Sequence, residues 1–145
     1  MKTVSVIIAC RNEEQFIGKC LQSIIDNDYD KDLIEIIVVD GMSTDKTVDI
    51  VKSFQEKYNN IKCEMNPDKT KYKALNKVIP TTKSDAVMII DAHRSFPINY
   101  ISQCLNYLFK TVVSNVGGDT KREPREKGIA PKAFSLTKKY SLIPR

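Results

Sequence analysis

The sequence predicts an α/β protein built on a mainly parallel sheet with helices on both faces. Three observations carry that expectation. Short runs of β-branched and apolar residues recur, as in "TVSVIIAC" (3–10), "LIEIIVV" (33–39) and "AVMIID" (86–91). Between them lie segments with apolar residues at helical spacing, such as Phe16, Ile17, Cys20, Leu21, Ile24 and Ile25. The strand-like runs are also nearly continuous rather than alternating, the pattern of strands covered on both sides.

Residues 3–10 are too short for a helix and are bounded by charge, so they read as a buried strand. Residues 12–27 draw an apolar stripe along a helix, with Asn12 as cap and Glu13 and Glu14 in its electropositive first turn. "NDYDKD" is a loop. Residues 33–39 form the second strand, and Ser43 or Thr44 caps a helix carrying Val48, Val51 and Phe54 that ends near Tyr58. "NIKCEMN" is a short third strand, placed at an edge. A polar loop with Pro67 leads to a helix over 71–79, stopped by Pro80. "AVMIID" is the fourth strand, 97–110 a helix with Ile101, Leu105 and Leu108 on one face, and "VVSNVGG" a candidate fifth strand.

A chain of 145 residues suits one domain, 1–145, with a sizeable core. The net charge of +5 fits a solvated lysine-rich surface, or attraction to a phosphate ligand or an anionic membrane face. No basic run with interleaved aromatics occurs and tryptophan is absent, which argues against nucleic acid as a partner. Cys10, Cys20, Cys63 and Cys104 are widely spaced, and His93 is the only histidine, so a structural zinc site is not expected. Four buried free thiols in a reducing cytoplasm is the expectation. The opening "MKTVSVIIAC" imitates a lipoprotein signal, but its apolar run is too short and "RNEE" follows at once. No segment approaches the roughly 20 apolar residues of a membrane span.

In such sheets ligands bind beyond the carboxyl ends of the strands. The positions to inspect are therefore Arg11 to Glu13, Asp40 to Ser43, Asn66 to Lys71, and Asp91 to His93. Asp40 and Asp91 each close an apolar strand. Either one alone is an ordinary turn carboxylate. Two on neighbouring rims point to a site, accepting from a base N–H or a ribose hydroxyl. Asp91 and His93 are two residues apart, so in an extended segment their side chains share a direction and suit one divalent cation on a diphosphate. The imidazole tilts the choice from Mg²⁺ toward Mn²⁺. Lys69, Lys71, Lys73 and Lys77 surround the third loop and its helix, either as phosphate ligands or as a solvated face. Neither GxGxxG nor GxxxxGK[ST] occurs.

"VSVIIACRNEEQFIGKCLQSI", "IEIIVVDGMSTDKTVDIV", "KYKALNKVI" and "MIIDAH" resemble, in order and spacing, the motifs of family-two glycosyltransferases with the GT-A fold. The second motif, usually V-D-D-G-S-x-D-x-T, reads Val39-Asp40-Gly41-Met42-Ser43-Thr44-Asp45-Lys46-Thr47. The metal motif, usually Asp-x-Asp, reads Asp91-Ala92-His93. With "RSFP" and "NVGGDTKREPREKGIAPKAF", the variant resembles bacterial exopolysaccharide enzymes of the succinoglycan type. The resemblance implies a nucleoside pocket lined by Ala9, Arg11 and Glu13, with Glu13 near the ribose and Asp40 at the base. Ser43, Lys71 and Asn76 join the nucleotide-binding set, and Asp91 and His93 hold Mn²⁺ or Mg²⁺.

It also implies transfer of a sugar, with inversion, from a nucleotide-diphosphate donor, UDP-linked by expectation. The acceptor is a saccharide or a lipid-linked hydroxyl. The expected location is cytoplasmic, with peripheral attachment to the inner membrane face as an extension. In relatives the acceptor base lies well downstream of the metal motif. Here "KREPREKG", with Glu123 and Glu126, reads as a charged loop, so the acceptor half is expected to be largely missing and the catalytic base unassigned. A non-catalytic nucleotide-sugar-binding module, or a degenerate truncated copy lacking the acceptor-side base, is the competing expectation. An incomplete fold with open apolar surface would favour a homo-oligomer.

Overall fold

A computed structural model describes residues 1–117 and the backbone of two further strand segments, Lys121–Arg122 and Leu142–Pro144. Strands β1 (Val4–Cys10), β2 (Ile34–Asp40), β3 (Ile61–Met65) and β4 (Ala86–Ile90) alternate with helices α1 (Ile17–Ile25), α2 (Thr47–Gln55) and α3 (Lys71–Val78). The short strand β5 (Arg94–Ser95) and helix α4 (Tyr100–Lys110) follow, then β6 (Lys121–Arg122) and β7 (Leu142–Pro144).

The main sheet has the order β3-β2-β1-β4-β7. Its first four strands are parallel, while β7 runs antiparallel on the β4 edge. The fifth strand is thus not "VVSNVGG": residues 112–117 carry no strand, and Val112 and Val113 are exposed. The β-branched pair lacks a covered face there, and β propensity without burial holds no strand. A second, two-stranded sheet pairs β5 with β6.

Strand alternation sends β1 side chains to two cores. Val4, Val6 and Ile8 pack with Ile17, Leu21, Ile24, Val51, Ile101 and Leu105 of α1, α2 and α4. Ile7 packs on the other face with Ile37, Val39 and Val87 against Ala74 and Val78 of α3. Both faces are covered, which is why the strands read as unbroken apolar runs. Asn27, buried after α1, joins the first core to α4: its Oδ1 accepts from Ile101 N at 2.9 Å and its Nδ2 donates to Pro97 O at 3.0 Å. Leu21 is wholly enclosed. Leu21→Ala is expected to cost about 3 kcal/mol of folding free energy, read from the urea midpoint at constant m-value.

Four element boundaries differ from expectation. Helix α1 begins at Ile17, not 12, because Asn12 adopts φ 53° and lies in a turn. Neither Ser43 nor Thr44 caps α2: the N-cap position is Lys46, and Asp45 before it holds the first turn, its Oδ1 accepting from Thr47 N at 3.0 Å and from Thr47 Oγ1 at 2.5 Å. Helix α2 ends at Gln55, short of Tyr58, whose ring stacks with Phe54 at 6.2 Å. Helix α4 begins at Tyr100, after a turn in which Tyr100 N donates to Pro97 O. Cys10, Cys20 and Cys104 are buried free thiols as expected, but Cys63 is only half-buried, since its strand is at the sheet edge. Burial, with Asp91 and Glu13 nearby, pushes the Cys20 thiol up to about 12. Among the described residues no helix is long and apolar enough to cross a membrane.

Candidate functional site

The carboxyl ends of β1, β2 and β4 meet at one rim. In the sheet ladder Cys10 stands beside Asp40, and Ile8 stands beside Ile90, directly before Asp91. Asp40 and Asp91 therefore flank β1 at the same end of the molecule, about two strand spacings apart, or roughly 10 Å.

The first two loops at this rim are bound to each other. Asn12 N donates to Ser43 Oγ at 2.8 Å, Glu13 N to Thr47 Oγ1 at 2.8 Å and Glu14 N to Asp45 Oδ2 at 3.1 Å. In return Thr44 N donates to Asn12 Oδ1 at 2.8 Å and Lys46 N to Glu14 Oε2 at 3.0 Å. These bonds satisfy amides and carboxylates that were expected to start a helix, and they explain why α1 begins late. Burial would raise the Asp45 carboxyl, but its bonds from Thr47 and Glu14 hold it below its ordinary value.

A cavity of about 160 Å³ opens between these loops, the 66–71 loop and the turn after β4. Six of the expected site residues line it: Ala9, Arg11, Glu13, Lys71, Asp91 and His93. Gly41 is there too; a Cβ on it would meet Arg11 Cβ and Cys10 O, each at 3.3 Å, so glycine lets the arginine lie across the turn. Three expected residues do not line the cavity. Asp40 is fully enclosed, its Oδ2 accepting from Ser43 N at 2.8 Å and its Oδ1 from Ser43 Oγ at 2.5 Å. Ser43 is that partner. Asn76 is exposed on α3, away from the cavity.

Asp91 to Arg94 form a turn rather than an extended segment, with Arg94 N donating to Asp91 O at 3.2 Å. Ala92 is buried in the first core, and the flanking Asp91 and His93 still both border the cavity. Lys71 Nζ makes an ion pair with Asp91 Oδ1. His93 Nδ1 lies 4.0 Å from Oε1 of the buried Glu13, too far for a hydrogen bond. Among the described residues no three His, Cys, Asp or Glu side chains stand together as a ready metal cage. Asp91 and His93 offer one oxygen and one nitrogen donor. That donor set would suit Mn²⁺ or Mg²⁺ if a ligand supplied further oxygens.

The third loop holds residues whose roles were not legible in the sequence. Buried Asn66 ties it down: its N donates to Asp40 O at 2.7 Å and its Nδ2 to Thr70 O at 2.9 Å. Lys69, on the cavity wall, has φ 60°. "NPD" signals a turn, but nothing in the sequence marks the lysine after it as left-handed.

A family model for glycosyl transferase family 2 matches residues 5–142. The chain belongs to that family. One curated glycosyltransferase relative is the dolichyl N-acetyl-alpha-D-glucosaminyl phosphate 3-beta-D-2,3-diacetamido-2,3-dideoxy-beta-D-glucuronosyltransferase of Methanococcus voltae. It is 41% identical over 95 residues, covering 64% of this chain and 30% of that protein. The beta-monoglucosyldiacylglycerol synthase of Synechocystis sp. is 32% identical over 107 residues, covering 72% of this chain and 22% of the relative. The chain thus spans a third or less of the length of these curated relatives.

Among solved structures, the mannosyltransferase PcManGT from Pyrobaculum calidifontis, in complex with GDP-Man and Mn²⁺, superposes with a TM-score of 0.71. It is 28% identical, and the match covers 80% of this chain and 34% of that one. S. aureus TarS 1–349 in complex with UDP-GlcNAc gives a TM-score of 0.75 at 18% identity, over 98% of this chain and 45% of that one, a likeness of fold alone. This family-two chain therefore has the GT-A glycosyltransferase fold.

Proposed function

We propose that the chain is the donor-binding domain of an inverting glycosyltransferase. It would take a sugar from a nucleotide-diphosphate donor to a saccharide or lipid-linked hydroxyl in polysaccharide synthesis, of which exopolysaccharide assembly is the form the sequence motifs resemble. The observation that carries this reading is the cavity at the strand rim where Arg11, Glu13, Lys71, Asp91 and His93 converge from three loops. The GDP-Man and Mn²⁺ bound by PcManGT support a metal-assisted nucleotide-sugar site in the same fold.

In this reading Ala9, Arg11 and Glu13 border the nucleoside, and Asp40 meets the base once the turn at Ser43 adjusts. Asp91 and His93 would hold a divalent cation, which supplies charge neutralisation to the departing diphosphate. The acceptor hydroxyl attacks the anomeric carbon opposite the diphosphate. A C–O bond forms there, the bond to the phosphate oxygen breaks, and the hydroxyl proton goes to a base.

A specific observation favours the competing reading, a nucleotide-sugar-binding module without turnover. Among the described residues only Glu13 and Asp91 bring carboxylates to the cavity; Asp91 pairs with Lys71 and Glu13 is buried. Glu123 and Glu126 lie outside the described residues. Thermal shift with UDP and GDP, with and without Mn²⁺, tests the shared part: a nucleoside diphosphate with metal is expected to raise the melting temperature. No stabilisation by either nucleotide would end both readings. Donor hydrolysis or transfer then separates enzyme from module.

A further inference from the structure

Lys69 stands out in the wall of the cavity for two reasons. Its backbone has φ 60°, the left-handed region where an L side chain meets a steric penalty that glycine escapes. The loop is built around that conformation. Lys69 N donates to Asn66 O at 3.0 Å, Asn66 Nδ2 holds Thr70 O, and Lys73 Nζ bonds Asp68 Oδ1 at 2.7 Å across the turn. Glycine would satisfy this geometry better, yet a long cation occupies it.

The second reason is its partnering. Around this loop Lys71 is paired with Asp91, Lys73 with Asp68 and Lys77 with Glu64. Among the described residues no ion pair or hydrogen bond engages the Lys69 ammonium; the residue is exposed and lines the cavity. Arg11 is the other exposed cation of the wall without a described side-chain partner. The positive charge available to an incoming anion thus sits on Lys69 and Arg11, whereas Lys71 is already committed to the Asp91 carboxylate.

We propose that Lys69 is a specificity-determining residue that reads the diphosphate charge of the donor, kept in a strained backbone position because a cation is needed on this wall of the cavity. This rests on the nucleotide-diphosphate reading of the site. It separates the work of two neighbouring lysines: Lys69 meets the phosphates, and Lys71 orients Asp91 until the ligand arrives. A charge contact of this kind discriminates a nucleoside diphosphate from its uncharged nucleoside.

Lys69→Gly tests it, because the change relieves the backbone while removing the charge. Calorimetric titration of wild type and variant with UDP and uridine, and with GDP and guanosine, gives the comparison. Expected for Lys69→Gly is a loss of about five- to tenfold in affinity for whichever diphosphate binds. Affinity for the matching nucleoside stays unchanged, and the melting temperature is equal to or above wild type. Lys69→Asn, neutral and tolerant of the left-handed region, should behave like the glycine variant, and Lys69→Arg should restore diphosphate binding. The proposal is overturned if Lys69→Gly and Lys69→Asn bind the diphosphate as wild type does, or lose nucleoside and diphosphate equally. Those results leave the donor-site reading intact. Failure of the wild-type protein to bind either diphosphate overturns that reading, and this proposal with it.

Discussion

Asp91→Asn is expected to weaken nucleoside diphosphate binding about 100-fold in Mn²⁺, and to leave it unchanged or slightly tighter in metal-free buffer. The two signs come from one residue's two partners. With the cation present, Asp91 would be its carboxylate donor beside His93 in the proposed site, and an amide is a far poorer ligand for a hard divalent ion. Without the cation, Asp91 is an anion on the wall of the cavity proposed to take a diphosphate, and it also holds the Lys71 ammonium. The asparagine removes the repulsion and releases Lys71 toward the phosphates. Titration calorimetry with and without chelator reads both arms. A variant that loses affinity equally in both buffers would show Asp91 acting as a structural brace rather than as a metal ligand. Equal affinity of wild type and variant in Mn²⁺ would remove it from the site.

The elements buried on both sides were readable because burial leaves a dense signature. "TVSVIIAC" and "AVMIID" could be assigned from composition alone, since every second residue meets one core and the rest meet the other. What the sequence hid lies in loops, where partners are distant in the chain. Asn12, Glu13 and Glu14 look like a helix start, but the 43–47 loop supplies their partners, and a pairing about 31 residues away leaves no local pattern. The antiparallel edge strand β7 was equally hidden: "LIP" is short and ends in proline, which an edge strand tolerates and a sequence pattern rejects.

Of the expected site residues, strand ends singled out Asp40 and Asp91, because a carboxylate closing an apolar run is visible; Asp91 lines the cavity and Asp40 is enclosed beside it. Their geometry was not. Asp91 and His93 were expected to share a direction by strand periodicity, and they reach the cavity by a turn whose middle residue, Ala92, is anchored in the core. Asn76 was placed by motif alone and lies outside the cavity, because the stripe α3 turns to the sheet is Ala74 and Val78.

Asp40→Ala is expected to lower folding stability by about 2 kcal/mol, since it removes a fully enclosed carboxylate that accepts from the half-buried amide and hydroxyl of Ser43. The same change is expected to weaken nucleotide binding, and Ser43→Ala separates the two roles. If Asp40 acts only as a brace for the turn between β2 and α2, Ser43→Ala should reproduce part of the stability loss together with a proportionate loss of binding. If Asp40 also meets the base, Ser43→Ala frees a carboxylate oxygen for it. Nucleotide affinity then holds while stability falls, and Asp40→Ala weakens binding well beyond its neighbour. A double-mutant cycle in urea measures the coupling between the pair, expected at about 1–2 kcal/mol for two side chains in direct contact. The enclosed position of Asp40 sharpens the test. A carboxylate with no exposure reaches a base only if the Ser43 turn shifts, so binding and turn geometry must move together in the wild-type protein and come apart in Ser43→Ala.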